Sequence, residues 1–196
     1  MGRADRAVRA STGALAGVLL LGALLSACGA SPQTSNAAAA VVVSKADCLA
    51  PEVLDELGLE LDAGLAARAS HAPAPERGRV PDDFVPAAVV ECEVGGRMRD
   101  SAGTWTAVTV TWRDGSATGL SRLVDAFDEP AVTPVPCQGA PRRMVIWLVD
   151  AAGRAVLPDV ALDGCGAPSE AVLDALDRLE VTDREDHPVE MRTPAP

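Results

Sequence analysis

The chain has 196 residues and a net charge of −11, with 48% hydrophobic residues, two histidines and no tyrosine. Such a length fits one domain of about 150 residues with appendages, enough to bury a real core. The acid excess argues against nucleic acid, which is bound by neutralising phosphates with Lys and Arg, and against lying flat on anionic headgroups.

Arg3, Arg6 and Arg9 form a charged start, and Ala14 to Leu25 an apolar run. This is the layout of an export leader, too short for a spanning helix of about 20 residues. Leu25-Ser26-Ala27-Cys28 at its end resembles the lipobox of bacterial lipoproteins. That resemblance implies cleavage of residues 1–27, a diacylglycerol on the Cys28 thiol and anchoring at the outer face of the cytoplasmic membrane. Two acyl chains, at ~0.8 kcal/mol per buried methylene, hold durably where one would not. The leader carries three arginines and one aspartate, so the remainder is two charge units more negative than the whole chain. Residues 28–44 read as the lipidated cysteine and a flexible tether, with an edge strand at Val41–Val43 as the alternative.

Residues 45–184 carry the signals of a globular α+β domain. A short helix follows Cys48: Pro51 suits its first turn, Val53, Leu54 and Leu57 form a stripe, and Gly58 stops it. Leu59 to Leu65 offers a short strand, and Ala72 to Pro86 reads as loop. Strands are expected at Ala87 to Gly95 and at Thr104 to Arg113, joined by a long turn from Gly95-Gly96 to Gly103. Leu120, Leu123, Val124 and Phe127 then repeat as one helical stripe. Glu129 to Pro141 holds four prolines and is irregular. Arg143 to Asp150 is apolar on both faces, so it belongs inside a sheet covered on both sides. Asp150 to Gly153 turns into a short strand at Arg154 to Leu157, and a helix is expected from Pro168 to Leu179. Val181 offers an edge strand, and residues 185–196 read as a frayed, disordered tail. The fold class is α+β: a single domain, mostly antiparallel sheet with helices packed on it.

Four cysteines remain beyond Cys28: Cys48, Cys92, Cys137 and Cys165. An even count in an exported chain argues for two disulfides. Cys92 shares a strand face with Val90 and Val94 and points inward toward the helix after Cys48. Cys137 and Cys165 flank a hairpin. The favoured pairing is Cys48–Cys92 and Cys137–Cys165, worth ~4 and ~3.5 kcal/mol in the chain-entropy model. No metal site is expected, because no C-x-x-C or H-x-x-x-H spacing occurs, and no cofactor fingerprint or nucleophile elbow is present. Asp82-Asp83 reads as a solvated turn, and Asp183, Glu185, Asp186 and His187 match no calcium loop.

The contact candidates are Trp105, Arg142 and Arg143. Trp105 and Trp112 lie seven apart on one strand and so face opposite sides; Trp112 belongs in the core, and Trp105 is either covered or an exposed anchor. Arg142 and Arg143, with Arg97 and Arg99, offer a basic spot on an acidic protein, suited to a carboxylate or phosphate.

The run from Cys137 through Met144 to Asp150, Gly153-Arg154, Leu157-Pro158 and Asp163-Gly164-Cys165-Gly166 resembles a group of uncharacterised actinobacterial exported lipoproteins. In that group a hydrophobic strand, a turn and a D-x-C-G segment precede a helix. The resemblance covers about the last third of the domain and implies no activity. The expectation is therefore a non-enzymatic, lipid-anchored binding module of the cell envelope, with an envelope protein as partner and an undefined oligomeric state. The alternatives are a carrier or sensor of a small or lipidic ligand, and an envelope hydrolase using carboxylates.

Overall fold

Alternating β-branched and aromatic residues build a five-stranded sheet, and amphipathic segments cover it on both faces. The computed structural model describes residues 38–129, 137 and 142–195. The expected leader, Cys28 and most of the proline-rich stretch after Glu129 lie outside the described residues. The elements are α1 (Pro51–Leu57), α2 (Ala63–Ala66), β1 (Pro86–Arg99), β2 (Gly103–Asp114), α3 (Ala117–Phe127), β3 (Met144–Asp150), β4 (Ala155–Val156), α4 (Glu170–Leu176) and β5 (Glu180–Pro194).

The strand order is β4-β3-β1-β2-β5, and every neighbouring pair is antiparallel. The α+β class with an antiparallel sheet, helices and two disulfides is thus the observed architecture. The two faces of β3 fill two separate cores. Val145, Trp147 and Val149 join Val90, Cys92, Val108 and Val110 beneath the α1 stripe of Val53, Leu54 and Leu57. Met144, Ile146 and Leu148 join Val89 beneath Leu120, Leu123 and Phe127 of α3 and Val172 and Leu176 of α4. Trp112 packs at the margin of the α1-side core, half-buried.

Both expected disulfides form, Cys48–Cys92 and Cys137–Cys165, each with Cα atoms 5.5 Å apart. The first ties the chain entering α1 to the middle of the sheet. Among the described residues, no helix is long and apolar enough to cross a membrane.

Four sequence expectations need correction. The segment expected as a disordered tail, residues 185–196, continues β5 through Pro194; the strand pairs with β2 along its length, and Val189 is fully buried. Three irregularities in register let this polar strand follow the twist of β2. The tether does not reach residue 44, because Val43 exchanges both backbone hydrogen bonds with Ala155 and Ala40 is buried. The long turn at 95–103 is instead a strand extension: Gly95-Gly96 lies at a register shift within β1, and the turn proper is Asp100 to Ala102. A Cβ on Gly95 would fall 2.5 Å from Thr109 Oγ1, so the close approach of β2 explains that glycine. Finally, Leu59 to Leu65 forms no strand; Asp62 accepts from the Gly64 N–H and starts the single turn of α2.

Candidate functional site

Strand β3 pairs with β1 only from Pro86 to Glu93. Beyond Glu93, β1 continues without that neighbour, and the β1–β2 hairpin with β5 forms a three-stranded arm. Its tip is held by one side chain. Asp100 Oδ1 accepts from the backbone N–H of Ala102 and Gly103 and from the Trp105 indole N–H at 2.9 Å. The Trp105 hydrogen bond, with those of Ala102 and Gly103, holds the Asp100 carboxyl below the usual carboxylate range.

Directly opposed residues share a sheet face. Arg97 opposes Thr106 and Arg99 opposes Thr104. On the neighbouring strand Arg192 Nε donates to Thr106 Oγ1 at 2.6 Å, while its Nη2 lies 2.8 Å from Glu190 Oε2. Glu190 is itself anchored by the Glu60 backbone N–H. The result is an open groove of about 520 Å³ lined by Gly95, Gly96, Arg97, Thr104, Thr106, Arg192 and Thr193. Gly96 lines the groove beside open space, where an added Cβ would meet nothing within 4 Å. Arg97 and Arg99 are exposed, and neither enters an ion pair among the described residues.

The residues singled out from sequence are dispersed. Trp105 is no exposed anchor; it is 4% accessible and spends its N–H on the arm tip. Arg142 pairs with Glu93 at 2.6 Å, whereas Arg143 lays its guanidinium against Gly58 at the end of α1. They leave the chain toward opposite faces, so the basic spot expected of Arg142, Arg143, Arg97 and Arg99 does not assemble. The basic surface gathers Arg97 with Arg192 instead. Sequence reasoning missed Arg192, Thr104 and Thr106. The alternation of Glu190 and Arg192 was the available signal, hidden in a segment taken for tail.

Two other charged groupings have structural work. Asp47 accepts from His71 Nδ1 at 2.9–3.0 Å and from the Leu49 N–H, Glu52 accepts from the Ala74 N–H, and Glu56 pairs with Arg77. These carboxylates strap the proline-rich loop across α1. On the other face, buried Glu91 pairs with Arg113, whose Nη1 donates to the Leu176 and Leu179 carbonyls. Arg113 thereby ties the end of α4 to the sheet, and Glu91 balances its charge. Burial pushes the Glu91 carboxyl above its ordinary value, against the pull of Arg113. Among the described residues, no three His, Cys, Asp or Glu side chains gather as a metal site. His187 pairs with Glu185 on the largely exposed β5.

Searches against protein-family models, curated proteins and solved structures found no match for this chain. The two disulfides point to an oxidising, extracytoplasmic compartment.

Proposed function

We propose that this chain is a lipid-anchored, non-enzymatic binding module of the cell envelope, held at the outer face of the cytoplasmic membrane through Cys28. The observation that carries the reading is the arm: a stapled domain extends three strands past β3 and presents on them a groove lined by arginines and hydroxyls. The lipobox resemblance at Leu25 to Cys28 supports the anchor, and the likeness to actinobacterial exported lipoproteins supports the setting. The remaining charged clusters fit a scaffold, since Asp47–His71 and Glu91–Arg113 each tie one element to another.

The reading is tested in cells of the native type with a photo-cross-linking residue at Arg99 on the arm or at Arg122 on α3. Capture of one discrete partner from position 99, not from 122, is expected, along with loss of membrane retention in Cys28→Ser. Capture from 122 alone, or unchanged retention of Cys28→Ser, would overturn it.

A further inference from the structure

We infer that the arm groove is a binding site for a phosphate group, on a phosphomonoester or phosphodiester. The inference rests on the arm being the contact surface and adds the chemistry of what it holds. Three strands each contribute a donor to one surface: the Arg97 guanidinium from β1, the Thr106 hydroxyl from β2 and the Arg192 guanidinium from β5. Adjacent strands lie about 4.8 Å apart, so the three donors span roughly 10 Å across the sheet.

The hydrogen-bond directions matter. Thr106 Oγ1 accepts from Arg192 Nε, and a hydroxyl that accepts still has its own proton to donate. Glu190 Oε2 lies 2.8 Å from Arg192 Nη2 and Thr106 takes Nε, and a guanidinium with five N–H donors is held there without using them all. Arg97 has no carboxylate partner among the described residues. A planar carboxylate offers two oxygens and is satisfied by one arginine fork. A tetrahedral phosphate offers three or more and matches donors arriving from three strands.

The surroundings favour the same ligand. A protein of net charge −11 repels anions over much of its surface, and here Arg97 and Arg192 line one groove, with Glu190 paired to Arg192, as a local counter-field for an anion. Gly96, where even an added Cβ would meet nothing within 4 Å, leaves room beside that anion. The groove is several times larger than one phosphate, which fits a phosphate carried on a larger molecule. Either a membrane phospholipid headgroup or a free phosphoester supplies that chemistry.

The test titrates full-length protein in non-ionic detergent with inorganic phosphate and with malonate, by calorimetry. Phosphate is expected to bind at least fivefold more tightly than malonate. Arg97→Gln with Arg192→Gln should weaken phosphate at least tenfold, and Arg142→Gln should leave it unchanged. Thr106→Val keeps every charge, and a threefold or greater loss there reports the shared hydroxyl. All variants are checked for an unaltered unfolding midpoint. Equal affinity for malonate, or full phosphate binding by Arg97→Gln with Arg192→Gln, would overturn the assignment. The source is read from the anchored protein in phosphatidylcholine vesicles with and without phosphatidylglycerol. Weakened binding of glycerol phosphate in the vesicles that contain phosphatidylglycerol identifies the headgroup, and unchanged binding identifies a free phosphoester. If phosphate binding fails while cross-linking from position 99 persists, only the ligand chemistry falls; if both fail, the arm is not the contact surface.

Discussion

Arg113 is the residue on which the largest single-site effect is expected. It is mostly buried, it serves the carbonyls at the end of α4, and its charge is balanced by Glu91, which is 2% accessible. Removing one partner of such a pair leaves the other buried and uncompensated, at a cost of several kcal/mol. Arg113→Ala should therefore lose about 3 kcal/mol in urea unfolding at neutral pH. The pH dependence has a definite sign. Glu91 is already raised above its usual 4.5 in the folded chain, so folding takes up a proton there and stability falls as pH rises through the raised value. Without Arg113 the carboxyl rises further, and the loss should shrink toward pH 4.5 as Glu91 becomes neutral. A loss of equal size at pH 4.5 and pH 7 would show that packing, and not the charge of Glu91, sets it. The sequence revealed neither role, because Glu91 and Arg113 look like the polar alternates of half-exposed strands. Only the docking of α4 over that face makes them a buried pair.

At the scale of elements, legibility followed the strength of the apolar pattern. Strand β3 and the stripes of α1, α3 and α4 were readable because burial on one or both faces leaves a period in the sequence. The arm was not. Gly95-Gly96 carries a turn signal, yet here it absorbs a register shift while β1 runs on to Arg99. What closes the hairpin is Asp100, with three N–H groups converging on one oxygen. Its carboxyl is held below the usual 3.8, so the tip gains stability from ionised Asp100 above that value and loses it as pH falls through the lowered one. Asp100→Asn keeps the shape and an acceptor oxygen but removes the charge. The variant should lose tip protection in amide exchange at pH 6 and show a flatter dependence below pH 4 than the parent. Identical exchange at Gly103 and Trp105 would mean that the turn holds without the charge. The site shared this fate: Arg97 was readable as a loop arginine, but its neighbours across the sheet are set by pairing, which leaves no trace in spacing.

At the scale of the whole molecule the decisive strand is the last one, which the sequence presents as a charged tail. Val189 is its one fully buried side chain, Pro188 and three register shifts interrupt it, and charges dominate the rest. Those are the features by which an edge strand avoids pairing with other copies. Its loss would expose the backbone of β2 along Gly103 to Asp114, a stretch rich in Val, Thr and Trp with no such protection. It would also unseat Val189 from beneath the α1-side core and remove its carbonyl, which accepts from Asp62 at the start of α2. Chain ending after Leu179 should therefore behave as more than a trimmed tail. Size-exclusion chromatography should show self-association through the bared β2 edge, and the unfolding transition should broaden and fall well below that of the parent. A monomer with an unchanged midpoint would return residues 180–196 to the status of an appendage, and with it remove Arg192 from any site on the arm.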